Sequence, residues 1–310
     1  MQFGLFGSAA ARRGGPEFDS SEGFRDFIEY NVEAEALGFH STFVVEHHFT
    51  GYGQVSATLN LLTWLGARTR RLRLGTAVIV LPWHNPVLLA EQAATLDLLS
   101  GGRLDFGIGK GYRYNEFAGF CVPMEEADAR FDECLDVILR AWTADEPFSH
   151  RGRYWQFDDI VVEPPTAQKP YPQIWMGAGS ERSIRRVAAQ GFNLLLGQYA
   201  SPKDVAWNIA VYKSEVEAQG RRFDPMQVGV TRAFLSPRTP PNGRRRWNGA
   251  SPTGCGSSNW RPGRTVRYTA GPTGQPAILG RSTRSARCMA TPTTSPKSSR
   301  NCATPGSAMF

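Results

Sequence analysis

Phe43-Val-Val-Glu-His-His-Phe49 joins an apolar β-branched run to three ionisable side chains in a row. Phe43, Val44 and Val45 read as the end of a buried strand, and a carboxylate, Glu46, and two adjacent imidazoles, His47 and His48, follow at once. Buried ionisable groups need partners, so a cluster of three at a strand end is poorly explained by packing alone. In barrels of alternating strands and helices, reactive groups sit at the C-terminal strand ends. A pair of satisfied core histidines is the plain alternative; the neighbouring carboxylate favours chemistry.

Outward from this stretch, short apolar runs alternate with amphipathic helices. Residues 3–6, 41–45, 72–81, 104–108, 174–176, 193–196 and 227–236 read as strands, and residues 22–37, 57–69, 86–99, 126–142, 181–189 and 203–219 as helices. The first helix carries Phe24, Phe27, Ile28, Ala34 and Leu37 at helical spacing and ends at Gly38, while Pro86 suits a first helical turn. This alternation predicts a parallel sheet closed as a TIM (β/α)8-type barrel. An open dinucleotide-binding sheet is disfavoured, because Gly7-Ser8-Ala9 supplies no glycine fingerprint after the first strand. Residues 149–172, with Tyr154, Trp155 and Phe157 before a proline-rich run, read as a hairpin over the barrel edge.

Charge divides the chain near residue 236. The whole sequence holds 35 basic and 28 acidic residues, but residues 237–310 contain 12 basic and no acidic ones, so residues 1–236 keep 23 basic against 28 acidic, a net of −5. The overall charge of +7 therefore belongs to the C-terminal stretch, and a nucleic-acid role for the organised part loses its support. Residues 237–310 are rich in Pro, Ser, Thr, Gly and Arg and show no sustained periodicity, so they are expected to be disordered. They read either as a basic arm or as the product of a shifted reading frame, and the abruptness of the change favours the latter. The five cysteines show no two-residue metal or redox spacing, and reduced thiols in a cytoplasmic protein are expected. Neither an export signal nor a membrane-spanning apolar run is visible.

Two glycine-rich segments follow strands. Gly107-Ile-Gly-Lys-Gly-Tyr-Arg113 contains Lys110 and Tyr112, and Gly177-Ala-Gly-Ser-Glu-Arg-Ser183 opens a helix with Gly179, Ser180 and Ser183. Backbone N–H groups, hydroxyls and a helix N-terminus together suit an anion, so a phosphate-bearing cofactor is expected on this face.

Taken together, Glu46-His-His-Phe-Thr50, Gly75-Thr-Ala-Val-Ile-Val-Leu-Pro82 with Asn85-Pro86, Leu98-Leu-Ser-Gly-Gly-Arg-Leu-Asp-Phe-Gly-Ile108 and Ile174-Trp-Met-Gly-Ala-Gly-Ser180 resemble the bacterial luciferase-like, flavin-dependent monooxygenases, in order and spacing, over residues 1–236. The resemblance implies a barrel binding reduced FMN at its C-terminal mouth, O2 as co-substrate and a small organic substrate. It also implies a separate flavin reductase and a possible homodimer. Position by position, it implies His47 as the catalytic histidine with His48 beside it, and a non-proline cis peptide at Ala77-Val78 under the flavin ring. Lys110, Gly179, Ser180 and Ser183 fall on phosphate contacts, and Gly109 stands where luciferase has a reactive cysteine. Glu46 is expected to fix a histidine tautomer or line the flavin pocket, and Tyr112 to lie in the cofactor site. The family's barrel has an eighth strand that nothing after Ser236 resembles, so an incomplete barrel is expected. A deazaflavin-dependent oxidoreductase on the same scaffold and an inert flavin-binding remnant are the competing readings.

Overall fold

The computed structural model describes residues 1–233 and the backbone of 268–270 and 276–278. The chain divides into two units, Met1–Ser236 and Pro237–Phe310. In the second, strands Tyr268–Ala270 and Pro276–Ile278 pair antiparallel. The readings of residues 237–310 as a basic arm or a shifted frame otherwise lie outside the described residues, as do residues 234–236 of the strand expected over 227–236; that strand ends at Val230, and residues 231–233 are irregular.

The first unit runs β1 (Gly4–Gly7), α1 (Glu22–Ala36), β2 (Ser41–Val44), α2 (Thr58–Arg68), β3 (Arg73–Thr76), β4 (Ile79–Val80), α3 (Pro86–Ser100), β5 (Leu104–Gly109), α4 (Tyr114–Gly119), α5 (Ala127–Thr143), β6 (Phe148–Arg151), β7 (Gln156–Ile160), β8 (Gln173–Gly177), α6 (Glu181–Ala189), β9 (Asn193–Leu196), α7 (Pro202–Ala218) and β10 (Val228–Val230). The sheet order is β1-β2-β3-β5-β8-β9-β10, parallel throughout, with β4 also paired to β5. β6 and β7 form the expected antiparallel hairpin.

Register assigns each side chain to a layer. Val44 pairs with Thr76, Leu74 with Leu104, Phe106 with Ile174, and Met176 with Leu194, so these residues share one face. Apart from Thr76, which donates to Gly107 O, they belong to the same buried core cluster as Leu62 and Leu65 of α2, Ala90 of α3, Ile138 of α5 and Val187 of α6. That is the helix-covered outer face of a barrel wall. The opposite face carries Phe43, Gly75, Asp105, Gly107 and Trp175. Phe43 and Trp175 touch edge to face at 5.6 Å although β3 and β5 lie between their strands. Strands about 4.8 Å apart in a flat sheet would hold those rings far beyond contact, so the sheet curls inward.

Caps explain where helices start. Asn85 accepts from the N–H groups of Val87 and Leu88 at 3.0 and 3.2 Å, with Pro86 at the first helical position of α3. Ser201 and Asp204 form a capping box at α7. Two features differ from the sequence reading. The run 72–81 is not one strand: the cis peptide Ala77-Val78 divides it into β3 and β4, and the chain leaves through a 3-10 turn, Leu81–Trp83. The six-residue helix α4 was not anticipated, being too short for helical periodicity to register. Among the described residues, β1 and β10 are paired on one side only, so the barrel wall of seven staves is open there.

Candidate active site at the strand mouth

Parallel strands align all their C-terminal ends on one edge, and the segments singled out in the sequence leave from it. Glu46, His47 and His48 follow β2, the cis peptide Ala77-Val78 joins β3 to β4, Lys110 and Tyr112 follow β5, and Gly179 and Ser180 follow β8.

Glu46 is the buried centre of the first group, at 2 % exposure. Its Oε1 receives His48 Nε2 and His84 Nε2, each at 2.7 Å, and Trp83 Nε1 at 3.3 Å, while Oε2 accepts the Val80 N–H at 2.8 Å. Burial pushes this carboxyl up, but the hydrogen bonds from His48 and His84, the charge of His84 and the Val80 N–H outweigh it and hold the group down at about 2. A carboxylate only accepts, so both facing Nε2 atoms carry hydrogen. These contacts suit Glu46 to fixing a histidine's hydrogen.

His47 looks the other way. Its N–H donates to Val55 O at 3.1 Å, and its Nδ1 lies 2.9 Å from Oε1 of Glu116, a residue of α4 that is 2 % exposed. The same oxygen accepts the His48 N–H at 3.1 Å. Aromatic rings wall this pair of carboxylate–imidazole clusters: Phe120 stacks on Trp83 at 5.2 Å and meets His48 at 4.8 Å, and Trp83 meets Phe117 at 5.1 Å. Phe49, at a positive φ of 54°, lies over Gly119, where any Cβ would strike its ring.

Sequence reasoning missed Glu116, His84 and Trp83. For the first, the sequence offers only an acid beside Phe117, which does not single it out. His84 and Trp83 follow a strand end, as the Glu-His-His group does, and that placement could have marked them.

The remaining candidates form a second group. Val78 covers two glycines: a Cβ on Gly109 would lie 2.6 Å from Val78 Cγ2, and one on Gly177 3.6 Å from Val78 Cγ1. Beyond them the edge is open, since a Cβ on Gly7, Gly179 or Gly197 would meet nothing within 4 Å. Ser180 is exposed and Ser183 half-buried, and the two make a capping box, with Ser183 Oγ donating to Ser180 O at 2.8 Å and Ser180 N–H donating to Ser183 Oγ at 3.1 Å. The hydroxyls therefore serve the helix start, and the next N–H groups of α6 are the ones left over for an anion. Lys110 pairs with Asp128 at 2.8 Å rather than with α6, and Tyr112 is exposed with the Arg113 guanidinium over its ring. Glycine-lined edge, Val78 surface and free helix N-terminus fit a planar ring carrying a terminal phosphate. Among the described residues no group of His, Cys, Asp and Glu is arranged to hold a metal ion.

The chain is similar to several known proteins. The chain is 30 % identical over 196 residues to the oxygenase component of flavin-dependent trigonelline monooxygenase of Acinetobacter baylyi, covering 63 % of this chain and 53 % of that protein. It is 31 % identical over 220 residues to the FMNH2-dependent dimethylsulfone monooxygenase of Pseudomonas putida, covering 68 % of this chain and 59 % of that one. The crystal structure of monooxygenase RslO1 from Streptomyces bottropensis superposes with a TM-score of 0.67 at 30 % identity, over 74 % of this chain and 70 % of that one. The chain thus spans between half and two thirds of the length of these two curated relatives. The profile of the family described as luciferase-like monooxygenase matches residues 1–246, and the chain belongs to that family.

Proposed function

We propose that the barrel of residues 1–236 is the flavin-binding part of a monooxygenase that uses reduced FMN and O2 to oxidise a small organic substrate. The observation that carries the reading is the buried carboxylate–imidazole network at the strand mouth, beside an open glycine edge and a helix N-terminus. Its support among relatives is that two of them are named as flavin- or FMNH2-dependent monooxygenases. Bound reduced FMN would supply the two electrons with which O2 gives one atom to substrate and the other to water. This chain's residues do the rest. Val78, over Gly109 and Gly177, offers the ring an apolar surface, with Ala77 beside it. The phosphate sits at the start of α6, on the N–H groups that the Ser180–Ser183 capping box leaves over, with Gly179 giving it room, Lys110 joining on release from Asp128 and Tyr112 at the rim. His47 holds and moves a proton near the reacting oxygen, with His48 fixed behind it by Glu46. The aromatic wall keeps bulk water from the network.

A separate reductase supplies the reduced flavin in this reading, and the naming of one relative as an oxygenase component supports it. No helix among the described residues is long and apolar enough to cross a membrane. The Glu46-His-His-Phe49 motif favours FMN over a deazaflavin.

The test is rapid mixing of the anaerobic chain, saturated with reduced FMN, against oxygenated buffer. Reoxidation of the bound flavin should proceed with kinetics distinct from those of free FMN. Traces identical to free FMN at every chain concentration would overturn the proposal.

A further inference from the structure

We infer that Glu116 is the positioning residue for His47: it holds the imidazole hydrogen on Nδ1 and leaves Nε2 as the bare, basic nitrogen. The inference deepens the proposed function and rests on it for the catalytic meaning of that nitrogen. The geometry has three parts. Glu116 Oε1 lies 2.9 Å from His47 Nδ1 and 3.1 Å from the His48 N–H. A backbone N–H can only donate, so this oxygen is fixed as an acceptor and oriented by the chain itself. The imidazole facing it must then present hydrogen at Nδ1, against the usual preference of neutral imidazole in water for Nε2.

The rest of the site prevents other arrangements. His47 is pinned from behind by its own N–H on Val55 O at 3.1 Å, so the ring swings only about its side-chain bonds. The other carboxylate nearby, Glu46, is taken up by His48, His84, Trp83 and the Val80 N–H and makes no bond to His47. Glu116 is 2 % exposed and sits next to Phe117 of the aromatic wall, so water competes poorly for its oxygen. The two histidines thus have opposite polarity. His48 gives its Nε2 hydrogen to Glu46, and His47 gives its Nδ1 hydrogen to Glu116, leaving His47 Nε2 to accept a proton.

The test uses the full chain labelled with 15N-histidine and long-range 1H–15N correlation spectra at a pH where imidazoles are neutral, with the His47 signals identified by their loss in His47→Asn. The wild type should show hydrogen on Nδ1 of His47. Glu116→Gln, which keeps an acceptor oxygen, should retain that pattern, and Glu116→Ala should move the hydrogen to Nε2. This readout needs no flavin, so it stands apart from the proposed function: failure to bind FMN would leave the tautomer result intact. Hydrogen on Nε2 in the wild type, or no change in Glu116→Ala, would overturn the inference. Should Glu116→Ala not fold, the wild-type and Glu116→Gln spectra still decide. With a substrate in hand, Glu116→Ala should lose turnover about 10²–10⁴-fold, and adding His47→Ala should bring little further loss. Full additivity of the two losses would overturn the positioning role.

Discussion

Glu46 is buried yet held ionised, because two imidazoles, an indole and a backbone N–H all point hydrogen at it. Its folded value of about 2 lies below the ordinary 4.5, so its contribution to stability is present above that ordinary value and is lost as pH falls towards the folded one. The contribution is on the order of 3 kcal/mol at neutral pH. Glu46→Gln should therefore flatten the acid limb of stability, and denaturant midpoints measured from about pH 6 down to about pH 2 would show it; parallel limbs for variant and wild type would refute it. His47→Ala should leave FMN affinity within a few-fold while cutting turnover by about 10²–10⁴. Equal loss of both, by titration and steady-state rates, would make His47 structural. Glu46, His47 and His48 were legible because they are adjacent in sequence. Glu116 and His84 were not, because the fold brings them 69 and 38 residues along the chain to their partners.

At the scale of elements, the alternation of strands and helices was readable wherever an element was long and periodic, as in α1 and α5, or opened on a clear start such as Pro86 of α3. The run 72–81 misled because its composition is largely apolar while a single peptide geometry, which composition does not encode, splits it into β3 and β4. That junction also places Val78 against Gly109 of β5, where a Cβ would come within 2.6 Å of Val78 Cγ2. Gly109→Ala should therefore destabilise the fold by about 1–3 kcal/mol. Adding Val78→Ala should recover part of that loss, since it removes the methyl that clashes. Urea unfolding of the two single variants and the double variant measures the coupling. Strictly additive losses would mean that the two residues do not contend for the same space.

For the whole molecule, the barrel wall and its mouth were legible because a repeated strand–helix pattern with short connections leaves few alternatives. The closure was not observed: among the described residues β1 and β10 remain paired on one side, with Phe6 and Val230 at 44 % and 40 % exposure. The sequence-level split of charge, −5 for residues 1–236 against 12 basic residues beyond, falls at the boundary between the two units. What the first unit presents is an edge of strand ends with a carboxylate–imidazole network on one side and a helix N-terminus on the other. In the proposed function this edge binds FMN through its phosphate as well as its ring. Anaerobic titration of the chain with reduced FMN and, separately, with reduced riboflavin, which lacks the phosphate, tests it most directly. FMN should bind saturably and riboflavin at least about tenfold more weakly, the loss of roughly 1.4 kcal/mol or more from charge-assisted hydrogen bonds at α6. Equal affinities for the two, or no binding of either, would contradict it.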